Sequence, residues 1–234
     1  MRKLFKIMHK IRKVSETTVD KVPNGKQKSL DVKEILSVEF DKSHLAFQTS
    51  FPSPSKIISN DELLKIIDNI DSTFTEIQIP IPLFHTNEDG FSLQSFYKKG
   101  ESVKDSILII ETVQNEVIGA FTTDCWSLKN RQRTSCFFGK GKCFVFKLRP
   151  GPLEIYHWHQ NIDPSVPDMF QHATINGLTI GGGNGGPAIY VDKYLTIGSS
   201  SESATFKNPC LTPNSKFQFS IRSLELLGFD ELKE

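Results

Sequence analysis

The sequence predicts an antiparallel α+β or β-sandwich domain running from about residue 50 to the C-terminus. Three features carry this expectation. From Ser106 onward, apolar residues recur at every second position in a succession of short runs. The first of these runs come in pairs across short links, as hairpin strands do. Helical periodicity is concentrated ahead of them, which points to an α+β or sandwich arrangement rather than alternating β and α units. The 18 phenylalanines agree with this. Many stand in alternating runs, such as Phe144 with Phe146 and Phe217 with Phe219, a pattern suited to half-buried strands.

The elements follow in chain order. Residues 1–28 read as a basic, flexible leader and linker. Leu4, Ile7, Met8, Ile11 and Val14 recur at helical spacing, with Arg2, Lys3, Lys6, Lys10, Arg12 and Lys13 between them, and Pro23-Asn24-Gly25 breaks the pattern. Such a segment is a solvated tail or a docked helix, a weak anchor on an anionic membrane through residues 1–14, or a mitochondrial targeting sequence. Residues 29–50 read as a short helix through Val32, Ile35, Leu36 and Phe40, followed by a linker. Pro52 and Pro54 place the domain boundary near residue 50.

Inside the domain, Ser59 and Glu62 form an S-x-x-E capping box, in which each side chain satisfies the other residue's backbone N–H. Leu63, Ile66, Ile67 and Ile70 then make one apolar stripe. A second helix is expected over Ser92–Lys99, with Leu93, Phe96 and Tyr97 inward and Gly100 as its stop. Strands are expected at Ser106–Val113 and Val117–Thr123, joined by the polar link Gln114-Asn115-Glu116. Cys143–Arg149 and Leu153–His159 form another pair across Pro150-Gly151-Pro152. Further strands fall at Leu178–Ile180, Ala188–Val191, Tyr194–Ile197 and Phe217–Leu227. In the last run Phe217, Phe219 and Ile221 share one face while Leu224 and Leu226 change phase, so a bulge is expected near Arg222-Ser223.

Composition narrows the function classes. With 28 basic and 27 acidic residues the net charge is +1, which gives no global attraction to nucleic acid. No apolar run is long enough to cross a bilayer as a helix. Four cysteines without a C-x-x-C pair, and no N-x-S/T site, point to a cytoplasmic setting.

The candidate sites are few. Gly181-Gly182-Gly183-Asn184-Gly185-Gly186 contains G-x-G-x-x-G by letter. Pro187 and a strand-like run follow it, where a dinucleotide site needs a helix, so it reads as a loop with positive φ and close backbone approach. His157 and His159 share one face of a strand and are weak metal ligands, with Asp168 or His172 as a third. Cys125, Cys136, Cys143 and Cys210 are candidates for redox chemistry only where exposed and of lowered pKa. Lys129-Asn130-Arg131-Gln132-Arg133, with Lys140 and Lys142 beyond, is a basic loop suited to an acidic partner and too small a footprint for nucleic acid.

A set of blocks in fixed order resembles the TLDc domain family. They are Gly90-Phe91-Ser92-Leu93; Gly119-Ala120-Phe121-Thr122 with Trp126; Phe138-Gly139-Lys140-Gly141; and Cys143-Phe144-Val145-Phe146. Leu178-Thr179-Ile180-Gly181-Gly182-Gly183 follows, then Tyr190-Val191-Asp192, Leu195 and Gly198. Thr205-Phe206-Lys207-Asn208, Leu224-Glu225 and Gly228-Phe229 close the series. Two positions depart from the family pattern. Leu227 stands where Trp is frequent, and Ser203-Ala204 where a Cys is common.

The resemblance covers about residues 51–234. It implies a sandwich of two antiparallel β-sheets flanked by short helices, here with a basic N-terminal extension. It casts Gly119, Phe121, Trp126, Gly139, Gly141, Gly181, Gly182, Gly183, Asp192, Phe206 and Gly228 as structural signature residues. It also implies resistance to oxidative stress and binding to the vacuolar-type proton pump (V-ATPase), whose assembly members influence, and so a place at membranes of acidic organelles. It brings no catalytic residue and no cofactor. The resulting expectation is a monomeric, non-enzymatic regulator or adaptor that does not bind nucleic acid. Lys129, Arg131, Arg133 and Asn184 are its candidate partner contacts. The alternatives are a redox-active or metal-dependent enzyme using the cysteines or the His157/His159 pair, and a membrane-surface module.

Overall fold

The computed structural model describes residues 53–70, 80–128, 137–158, 168–183 and 185–229. The leader, the 29–50 segment, the basic loop at Lys129–Arg133, Cys136, His159 and Asn184 lie outside the described residues.

Helix α1 spans Asn60–Ile67 and buries Leu63, Leu64 and Ile66. Its capping box is formed in both directions. The Glu62 N–H donates to Ser59 Oγ at 3.3 Å, and the Ser59 N–H donates to Glu62 Oε2 at 2.8 Å. Strand β1 (Ile81–His85) leads into the single-turn helix α2 (Thr86–Asp89). Sequence reading did not find β1, because Pro80 and Pro82 interrupt a run of only five residues and prolines argue against a paired strand. It lies antiparallel to the last strand, with a register shift between Pro82 and Phe84.

Helix α3 covers Leu93–Gly100, capped by Ser92, whose Oγ accepts the Ser95 N–H. Gly100 is not the expected stop. It is a buried residue of the helix, and the C-cap is Glu101. A Cβ on Gly100 would sit 2.8 Å from Trp126 Cβ, so glycine serves here for close packing, not for its φ freedom. The neighbouring Tyr97 hydroxyl reaches 2.9 Å to Gly177 O and 3.1 Å to Thr174 O, tying α3 to a distant hairpin turn over residues 174–177.

The described residues hold nine further strands: β2 Asp105–Thr112, β3 Val117–Thr123, β4 Phe144–Arg149, β5 Glu154–His157, β6 Gln171–Thr174, β7 Gly177–Ile180, β8 Ile189–Asp192, β9 Ile197–Ser199 and β10 Gln218–Gly228. All pairings among them are antiparallel, in the order β5-β4-β3-β2-β10-β9-β8-β7-β6, with β1 also on β10. The described residues thus form mainly antiparallel sheet with a few short helices.

Strand β10 belongs to both halves. Gln218–Ser220 pair with β9, and Glu225–Gly228 lie between β1 and β2. The register shift against β2 falls between Ile221 and Ser223, where the change of phase predicts a bulge.

The expected strand over Tyr194–Ile197 is corrected. Residues 193–196 form a turn with Leu195 at φ 54°, and β9 begins only at Ile197. The Asp192 carboxylate accepts the N–H groups of Thr196 at 2.9 Å and Ile197 at 3.0 Å, a local bond that competes with a ladder.

Two apolar clusters result from the period of two. Leu108, Ile110, Ile118, Ala120 and Val145 of the first half pack with Leu178, Ile180, Ile189, Val191 and Phe219 of the second. The intervening residues Ile107, Ile109, Phe121, Phe144 and Phe146 face the other way and pack with Ile58, Leu63 and Ile66. Strands β2 to β4 are therefore buried on both faces, more fully than the half-buried reading of Phe144 and Phe146. Phe217 is the opposite case, with 61% of its surface exposed.

Candidate functional site

The Gly-rich segment follows β7 and crosses to β8. Gly181 and Gly183 have φ of 72° and 115°, in the region that disfavours any side chain. Gly182 and Gly183 also lie against neighbours. A Cβ on Gly183 would meet Ala204 Cβ at 2.4 Å, and one on Gly182 would meet Met169 Sδ at the same distance. Hydrogen bonds then fasten the loop to residues 203–206. Gly182 N–H donates to Thr205 Oγ1 at 3.1 Å, and Gly182 O accepts the Ala204 N–H at 2.9 Å.

Behind the loop lies a buried polar network. Ser203 Oγ donates to Asn208 Oδ1 at 2.7 Å and accepts the Phe206 N–H at 3.3 Å. Asn208 Nδ2 donates to the carbonyls of Ser201 at 3.0 Å and Pro209 at 2.8 Å. The Leu211 N–H donates to Ser200 Oγ at 2.9 Å. Ser203 and Asn208 are bonded to each other and each also binds backbone groups, so the chemistry of this set is that of a scaffold. Ser203 accordingly supplies two loop bonds where the family pattern commonly carries a Cys.

A shallow groove of about 500 Å³ opens beside this network, lined in part by Glu202, Pro209, Cys210, Pro213, Lys216 and Phe217. Sequence reading did not find it. Its lining comes from loop residues either side of the network, and the only sequence signal is the density of prolines. Glu116 is a second feature that sequence reading missed. It belongs to the polar link Gln114-Asn115-Glu116 between two strands, yet it is wholly buried. Its carboxylate accepts the N–H of Asn214 at 2.8 Å, the N–H of Ser215 at 3.1 Å, and the Ser215 hydroxyl.

The remaining candidates are dispersed. His157 is exposed on β5, its ring 5.3 Å from that of Phe144. Asp168 Oδ1 accepts the Trp158 indole N–H at 3.0 Å. His172 stacks on Phe137 at 5.0 Å, and burial lowers its pKa. Among the described residues, no three His, Cys, Asp or Glu side chains gather as a metal site.

The described cysteines Cys125, Cys143 and Cys210 also occupy separate places. Cys143 is buried, its Sγ 3.0 Å from Lys140 O and 3.3 Å from Thr123 Oγ1. Burial pushes the Cys143 thiol up, away from the thiolate a nucleophile needs. Cys210 is half-buried with its Sγ 3.3 Å from Lys216 O, and Cys125 is half-buried.

The signature residues fall on structural positions. Phe121, Trp126 and Phe206 are core residues. Gly119 and Gly228 are strand residues in contact with Phe146 and with Leu83 and Val103. Gly141 lies against Trp158, and Gly139 at φ 102° lies against Gln171 and Phe170. Asp192 holds the turn before β9.

The fold and this loop define an antiparallel β-domain whose motif glycines and polar residues build backbone geometry. The family profile of the TLDc domain matches residues 51–230, and the chain belongs to that family. It is 35% identical over 64% of its length to GTPase-activating protein skywalker of Drosophila melanogaster, covering 26% of that protein. It is 30% identical over 98% of its length to TBC1 domain family member 24 of Xenopus laevis, covering 48% of it. It is 25% identical over 87% of its length to oxidation resistance protein 1 of Homo sapiens, covering 22% of it. The chain thus spans less than half the length of each of these relatives.

Proposed function

We propose that this chain is a non-enzymatic TLDc-type regulator or adaptor that protects against oxidative stress and binds the vacuolar-type proton pump to influence its assembly. The observation that carries the reading is the family match across residues 51–230, joined by relatives named for oxidation resistance. The pump as partner follows from the TLDc resemblance. The engagement of Ser203, Thr205 and Asn208 in scaffold bonds supports a role in binding over one in catalysis. The GTPase-activating activity in the name of one relative is that protein's, of which this chain matches about a quarter.

The test is a quantitative pull-down of the full chain against the purified pump, intact and dissociated, over a salt series. Binding to one form, weakened by salt, supports a regulator with a charged interface, and Lys129, Arg131 and Arg133 are then the residues to replace. Absence of binding to both forms overturns the pump assignment.

Cys210 favours a second reading, because it is half-buried and lines the open groove. In that reading the chain acts through thiol chemistry. Oxidant consumption that survives replacement of Cys210 by Ala would exclude this thiol.

A further inference from the structure

Seven large hydrophobic side chains are exposed among the described residues. Four of them, Val113, Ile175, Tyr194 and Ile197, belong to neighbouring strand ends. Gly177 at the start of β7 is paired with Asp192 at the end of β8, so the 175–176 turn lies beside the 193–196 turn. The Tyr190 hydroxyl donates to Asn176 O at 3.3 Å and fixes that neighbourhood. The 193–196 turn leads into β9 at Ile197, which pairs with Ser220 of β10. Val113 arrives at the same point from the other side of β10. Its N–H donates to Ser220 O at 2.9 Å, while the Ile221 N–H donates to Thr196 O at 2.9 Å. Paired strands stand only ~4.8 Å apart, so these ends form one rim.

The rim is built of turns and strand ends, and none of the four apolar residues lines the groove at Cys210. Ile175 is 76% exposed and Tyr194 59%. Single exposed apolar residues are ordinary, whereas a row of them on adjacent tips marks a contact surface. The charges of the rim favour one kind of contact. The Lys193 ammonium sits 4.8 Å from the centre of the Tyr194 ring. Lys98 is exposed on α3, next to the Tyr97 whose hydroxyl bonds to Thr174 O and Gly177 O. The acids are occupied from within. The Asp192 carboxylate takes the N–H groups of Thr196 and Ile197. Glu111 accepts the Ser223 hydroxyl at 3.0 Å and pairs with Arg222 at 3.6 Å, Arg222 being the more exposed of the two.

We infer that this rim rests on an anionic phospholipid surface, with Val113, Ile175, Tyr194 and Ile197 entering the headgroup region and the basic side chains facing the phosphates. Tyrosine suits that depth, because its ring is apolar while its hydroxyl stays wet. Lysine and arginine stems lie along the apolar layer with their charged ends at the phosphates. Separate tips on adjacent turns reach a lipid surface together, whereas a protein partner would need a matching hollow for each. Contact through so few side chains is weak and reversible. This inference stands apart from the pump assignment and does not depend on it.

The test is flotation of the full chain with vesicles of phosphatidylcholine, alone or mixed with phosphatidylserine. Binding is expected to the mixed vesicles only, and to weaken with salt. Residues 1–14 have their own basic amphipathic pattern, so the rim is read directly. A Tyr194→Trp variant is expected to show a blue shift of its added emission on the mixed vesicles, taken as the difference from the unaltered chain. Ile175→Asp is expected to lower vesicle affinity about tenfold, as loss of one inserted side chain should. Unshifted Tyr194→Trp emission on vesicles that bind the chain overturns the inference. So does unchanged affinity of a folded Ile175→Asp variant, which would place binding in residues 1–14. Equal binding to both vesicle types, or none to either, overturns it as well. So does self-association of the chain that Ile175→Asp abolishes, which would make the rim a contact between copies. If Ile175→Asp fails to fold, Ile175→Ser and the Tyr194→Trp emission decide.

Discussion

Glu225 shows how much a single side chain organises here. It sits in the middle of β10, 2% exposed, and receives the strap that enters the domain. Burial raises its pKa, and the hydrogen bonds from Ser55, Lys56 and Ile57 offset this only in part. The folded state therefore holds the proton more tightly than the unfolded chain. The stabilisation from that proton is full below the unfolded pKa of ~4.3 and is lost as pH rises through the higher folded value. The neutral Glu225→Gln variant removes the titration. We expect the melting temperature of the native chain, relative to this variant, to be higher at pH 4.5 than at pH 7 in paired thermal melts. A difference that is flat with pH, or grows toward pH 7, would show that the hydrogen bonds outweigh burial. Nothing in the sequence announced this residue. Leu224-Glu225 stood as a family block, and a carboxylate between apolar neighbours reads as an exposed strand position until the Ser55 strap is seen above it.

At the scale of the element, α1 and α3 differ in how much the sequence disclosed. The Ser59/Glu62 box is a local code, written within four residues, and it is formed as read. Gly100 carries no such code. The same glycine that stops one helix can be the contact point of another, and only the distant Trp126 decides. Gly100→Ala separates the two roles. Helix propensity alone would gain ~1 kcal/mol, but the added methyl meets Trp126 and Leu226, and overpacking costs ~1–3 kcal/mol. We expect a net loss in urea unfolding, and a gain would mean that Trp126 yields easily. The strands divide along the same line. The long runs of β2 to β4 and the bulge in β10 were legible because their periodicity is sustained. β1 and β6 are short, and pairing with β10 and β7 makes them strands. The scaffold role of the Gly-rich loop was legible from its failed context, whereas the groove beside it is made by loop residues that have no common period.

For the molecule as a whole, the two clusters make burial a question of cooperativity. Cys143 belongs to the cluster shared by both halves of the sheet, so a thiol reagent reaches it only when those halves part. Cys210 opens to a groove. We expect Cys210 to react in the native state and Cys143 to react at the rate of global unfolding, rising with denaturant in step with loss of tertiary signal. Rapid native labelling of Cys143 would mean that the two halves of the sheet separate locally, and the single shared core would have to be abandoned.

Strand β10 is made last among the elements of this domain, yet β1, β2 and β9 all pair with it. On a ribosome, the first half of the sheet emerges with its central neighbour missing, while β2 and β3 offer nearly continuous apolar surface. The β-ladders that join the two halves cannot form until residues 218–228 are available. Joining of the two halves of the sheet therefore waits for this last strand, as non-local pairing does in general. A chain stopped just before Phe217 would lack the strand that joins the two halves.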